Sequence, residues 1–170
     1  MNIIELLVKE LNQETDITRK MLNCVSDEDY DWQPHPKSMT VRRLVTHLAD
    51  LGNWFAMTLN TSELDFETTD WKEEVINDTT ALLNYFERST TSGIENLQKA
   101  TEGQLQEMWT LRSGTHILSH STKYEMVRII FGQMIHHRAQ LGVFLRLLNI
   151  PIPGTYGPSA DEMPAEPVTY

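Results

Sequence analysis

Gln133-Met134-Ile135-His136-His137-Arg138-Ala139-Gln140 is the stretch whose reading decides the fold. Around it, Val127, Ile130, Met134, His137, Leu141, Phe144 and Leu148 recur at three- and four-residue spacing, the period of one helix face. Thr122-Lys123-Tyr124-Glu125 supplies a capping box at the start. Asn149 and then Pro151 end the run. His137 therefore falls on the buried stripe of a helix, where an imidazole is costly without a partner.

Working outward, three more helices are expected. The first spans about residues 2–24, with Ile3, Leu7, Leu11, Ile17 and Met21 on its stripe. The second starts after Thr40 as N-cap and carries Val41, Leu44, Val45, Leu48, Leu51 and Phe55. The third is capped by Asn77 or Asp78 and carries Leu82, Leu83, Phe86, Ile94 and Leu97, with Gly93 marking close packing or a weak point. Residues 26–38 are turn-rich, and prolines on both sides of His35 exclude a helix there. Residues 60–71 read as a polar, acidic loop. The period changes at residues 108–118, where two extended segments flank Ser113-Gly114 as a hairpin.

The expected architecture is all-α: a four-helix bundle, residues 1–170 forming one domain, with a short hairpin-like insert before the last helix. Residues 151–170 form an irregular, proline-rich wrapping tail. Its Ile152, Tyr156, Met163 and Val168 are candidates to pack on the bundle or on a neighbour. Trp54, Trp71 and the helix methionines are read as core.

At 170 residues and 40% hydrophobic content the chain can bury a sizeable core. Its net charge of −10 argues against nucleic acid and anionic membrane as partners. No apolar run approaches the roughly 18 residues of a membrane span. A single cysteine, Cys24, excludes an intramolecular disulfide. With no signal-peptide layout, these features give the expectation of a cytoplasmic protein. No phosphate loop or nucleophile elbow is present, and Cys24 has acidic rather than basic neighbours, so it is read as structural.

His47 lies between Leu44 and Leu51 on the second helix, sharing their side. Gln133 and His137, four apart, point the same way on the last helix. His47, His137 and Gln133 together make a candidate metal site with an open position, the catalytic rather than the structural arrangement. Gln133 is a weak ligand beside imidazole, carboxylate or thiolate. The same two histidines are equally the pattern of hydrogen-bonded core residues. His136 is rotated about 100° from His137 and is read as a supporting residue. Asp50, one turn after His47, is the nearby carboxylate and the only visible candidate for a general base in metal-dependent hydrolysis. His116 and His120, if extended, sit on one face about 13 Å apart, too far for one ion. His35 is a packing or surface residue.

Three segments carry a family resemblance: residues 31–40 leading to Thr46-His47-Leu48-Ala49-Asp50; Met134-Ile135-His136-His137-Arg138-Ala139-Gln140-Leu141; and residues 151–162. Through them the chain resembles the DinB-like (damage-inducible) superfamily, which includes bacillithiol and mycothiol S-transferases. The resemblance covers nearly the whole chain. It implies an up-down four-helix bundle, usually a homodimer, and a divalent metal, nickel or zinc, held by one histidine of the second helix and two of the last. His47 and His137 match two of those ligands, and Gln133 stands where the third histidine is expected. The implied activity is transfer of a low-molecular-weight thiol to a small electrophile. The alternative is a non-enzymatic dimeric bundle with a degenerate metal site.

Overall fold

The computed structural model describes residues 2–69 and 74–163. Trp71 and Val168, together with the end of the tail, lie outside them. Among the described residues five helices run in chain order as α1 (Ile3–Leu22), α2 (Val41–Asn60), α3 (Thr79–Lys99), the short α4 (Glu102–Leu105) and α5 (Lys123–Leu147). Three strands intervene among them, β1 (Glu63–Asp65), β2 (Met108–Ser113) and β3 (His116–Thr122). A 3-10 turn at Asp27–Asp29 follows α1.

The caps read from sequence form: Thr40 and Asp78 cap α2 and α3. Asn2, expected inside the first helix, instead caps it, its side chain accepting from the Glu5 N–H. Thr122 and Glu125 close a capping box on α5. At its other end Asn149 takes a positive φ of 61°. The Ile150 N–H then reaches the Leu145 carbonyl at 2.9 Å, a Schellman closure that places asparagine where left-handed backbone is needed.

The helical bundle is present, but its neighbour order is not that of a simple up-and-down bundle. Both α1 and α2 pack against α3 and α5, so α1 and α2 face each other only diagonally, as do α3 and α5. The connectors allow this: residues 23–40 and 100–122 are long enough to carry the chain across a bundle end. Leu11, Leu44, Phe55, Phe86, Phe131 and Leu141 are fully enclosed between the four long helices.

A three-stranded sheet in the order β1-β2-β3 qualifies the all-α expectation. β2 and β3 pair antiparallel, as the hairpin reading requires, while β1 pairs parallel to β2 inside the stretch expected to be loop. Its anchor is Asp65, which accepts the backbone N–H groups of Glu67 at 3.0 Å and Gly114 at 2.9 Å and the Arg112 Nε at 3.0 Å. Those donors, the two backbone bonds first, hold its carboxyl below the usual range. The bulge in β3 also corrects the reading of the strand histidines. His120 pairs with Thr110 and His116 with Ser113, so the two lie on opposite faces.

The described part of the tail meets the bundle at Ile152 and Tyr156. Ile152 packs on the core, and the Tyr156 hydroxyl donates to the Glu14 carboxylate at 2.9 Å while accepting from Arg138 at 2.6 Å. Met163 stays exposed. Among the described residues no helix is long and apolar enough to cross a membrane.

Candidate functional site

The packing of α2 on α5 brings His47 and His137 together. Leu44, Val45 and Leu48 are buried around His47, and Met134 and Leu141 around His137, so hydrophobic burial fixes both backbones. The ring centroids lie 4.7 Å apart at 84°, edge to face. His137 is 7% exposed and His47 is half-buried. Burial pushes both imidazoles below their usual range. For His47 the nearby His137 and Arg43 add to this against Asp50; for His137 the Gln140 bond opposes it and His136 adds to it. Burial thus favours the neutral form of both rings, the form a metal ligand requires.

His137 is also oriented. Its Nδ1 lies 2.9 Å from the Oε1 of Gln140, one turn on. A carbonyl oxygen only accepts, so Nδ1 carries the proton and Nε2 keeps its lone pair. A histidine held in this way is prepared for coordination. The sequence reading passed over Gln140; its three-residue spacing from His137 was the available signal.

The other candidates divide. Gln133 is exposed and makes no side-chain hydrogen bond among the described residues. His136 is exposed, its ring 5.1 Å from that of His137. Asp50 is buried but fully engaged. It accepts from the Tyr85 hydroxyl, from Asn53 Nδ2 at 3.0 Å and from Trp54 Nε1 at 3.1 Å. Burial, and then the Asp50 carboxylate, push the Tyr85 phenol up, which keeps that donor protonated. Asp50 thus braces α2 against α3 and acts on His47 as a charge.

Of the residues set aside in sequence, His120 bonds Thr110 at 2.9 Å and His35 accepts the Lys37 N–H at 3.1 Å. Burial pushes the Cys24 thiol up, and its sulfur turns to the Lys20 carbonyl at 3.3 Å. None of the three reaches the His47–His137 pair.

The donor set tests the expected metal. Among the described residues no third His, Cys, Asp or Glu completes a metal-sized group. Two neutral imidazoles and an exposed amide do not make a closed tetrahedral site. A divalent ion placed at His47 and His137 would need its remaining positions completed from outside the chain.

The DinB family model matches residues 1–167. The chain belongs to the DinB family. Among its relatives, the uncharacterized protein YrdA of Bacillus subtilis is 24% identical over 157 residues, covering 91% of this chain and 89% of that protein. Bacillus subtilis YfiT, described as a probable metal-dependent hydrolase with an unusual four-helix bundle topology, superposes with a TM-score of 0.64 at 16% identity, covering 88% of this chain and 90% of that one. The mycothiol-dependent maleylpyruvate isomerase gives a TM-score of 0.60 at 15% identity. There the match covers 83% of this chain and 61% of the isomerase, which is a longer protein. These likenesses establish a shared DinB fold.

Proposed function

We propose that this DinB-family chain is a metal-dependent transferase that uses a small thiol against a small electrophile. The observation that carries the reading is the His47–His137 pair, with His137 Nδ1 held by Gln140. The probable metal dependence of YfiT and the mycothiol dependence of the isomerase add both features to the family background. Nickel or zinc, when bound, lowers the pKa of a thiol and supplies a thiolate at neutral pH.

The chain's own residues do the rest. Desolvation favours the neutral form of His47 and His137, which offers nitrogen lone pairs from two helices. Gln133 offers an exposed amide that can orient a water molecule or the thiol cosubstrate. Cys24, with its thiol pushed up and bonded to a carbonyl, leaves the nucleophile to the cosubstrate. Hydrolysis with Asp50 as base is disfavoured, because that carboxylate already serves three donors. We further propose a homodimer, since Ile135, Val143 and Leu147 leave the outer side of α5 apolar and exposed. The incomplete donor set favours, as the second reading, a dimeric bundle without enzymatic activity.

The transferase reading is tested with nickel-loaded protein and 2-mercaptoethanol. A thiolate-to-nickel absorption band and accelerated conjugation of a chromogenic electrophile are expected, both lost in His137→Ala. Nickel bound at His47 and His137 with neither band nor acceleration would reject transfer and leave the non-enzymatic reading.

A further inference from the structure

The sequence holds eight arginines. Seven of them, Arg19, Arg42, Arg88, Arg112, Arg128, Arg138 and Arg146, pair with carboxylates. The eighth, Arg43, is exposed, and its guanidinium has no hydrogen bond or ion pair among the described residues. In a chain of net charge −10, carboxylates are abundant, so an unpaired guanidinium stands out. Arg43 is one turn before His47 on the same face of α2, roughly 6 Å along the axis.

A second observation falls at the same place. Thr46 is 3% exposed, and its hydroxyl is buried without a hydrogen-bond partner. Buried hydroxyls rarely stay unpaired. Thr46 and Arg43 line one recess of about 180 Å³ together with Thr40 and Glu74. The Glu74 carboxylate is engaged by Arg88 at 3.3 Å, which reduces its opposition to an anion there. Threonine has two accessible χ1 wells in a helix, so a rotamer change can give the Thr46 hydroxyl a ligand as partner.

We propose that Arg43, assisted by Thr46, anchors a carboxylate of the small molecule that reacts at the His47–His137 pair. The placement of the reacting atom rests on the metal reading above; the anion subsite does not. The one-turn offset selects ligands whose carboxylate lies a few bonds from the sulfur or electrophilic carbon. Arg43 and Thr46 are positioning residues, with no part in bond making.

The test uses the full chain, 15N-labelled and metal-free, titrated with succinate and with its uncharged isostere succinamide. Succinate is expected to shift the Arg43 and Thr46 amide signals saturably. Its affinity should fall about tenfold in Arg43→Gln and largely return in Arg43→Lys, as for a charge-assisted bond. Succinamide should leave the signals in place. Equal succinate affinity in Arg43→Gln, or shifts centred away from α2, would overturn the subsite. Nickel uptake by the same preparations separates the two readings. Uptake lost in His137→Ala, with succinate binding intact in Arg43→Gln, overturns the subsite alone. Succinate binding lost in Arg43→Gln, with no nickel taken up by the native chain, overturns the metal reading alone.

Discussion

Arg138→Met is expected to lower unfolding stability by about 3–5 kcal/mol, the cost of leaving a buried charge without its partner. Arg138 is 1% exposed and Glu14 6%. The guanidinium donates to Glu14 Oε2 at 2.6 Å and to Thr18 Oγ1 at 3.0 Å, and Tyr156 closes the cluster from the tail. Removing the cation leaves the Glu14 carboxylate enclosed between α1 and α5. Thermal unfolding should show a fall of roughly 10 °C for a chain of this size. The double variant Arg138→Met/Glu14→Met should recover most of that loss, because no buried charge remains. A double variant no more stable than the single one would place the cost in packing instead.

Gly52→Ala and Gly93→Ala are expected to be nearly as damaging. A Cβ on Gly52 would stand 2.5 Å from the carbonyl carbon of Ser89, and one on Gly93 2.7 Å from the carbonyl oxygen of Gly52. Both contacts are with backbone, so α2 and α3 must separate to relieve them. Overpacking of this kind costs about 1–3 kcal/mol and more where backbone cannot yield. Gly132→Ala is the control, since its Cβ would meet nothing within 4 Å. It should gain about 0.5–1 kcal/mol from helix propensity alone. Urea titrations of the three variants separate these outcomes; equal stabilities would refute the close crossing.

The four long helices and their caps were readable because each has an apolar stripe and a local stop or start signal. Thr40, Asp78 and Thr122 act within three residues of themselves. Neighbour order has no such local code. It depends on the paths of residues 23–40 and 100–122, and so the diagonal placement of α1 and α2 was not legible. β1 was missed because a three-residue strand with one apolar member, Leu64, has no period to detect. The β3 bulge reversed the facing of His116 and His120 through one extra residue, which alternation alone does not reveal.

The site was half legible. Stripe position alone brought His47 and His137 to one place. The engagement of Asp50 was not readable, because Tyr85 is 35 residues away in sequence. That Arg43 has no ion-pair partner among the described residues emerges only when the carboxylates facing the other arginines are known. Gln133 lay in plain view, and its side chain is exposed.

The central claim is that His47 and His137 form two-thirds of a divalent metal site. The decisive measurement is the metal content and affinity of the untagged chain after equilibration with nickel or zinc, beside Gln133→His, His47→Ala and His137→Ala. The account predicts up to one equivalent in the native chain, bound about tenfold or more weakly than in Gln133→His and lost from both alanine variants. No metal in the native chain, with one equivalent in Gln133→His, would contradict it and leave the pair as a hydrogen-bonded core feature.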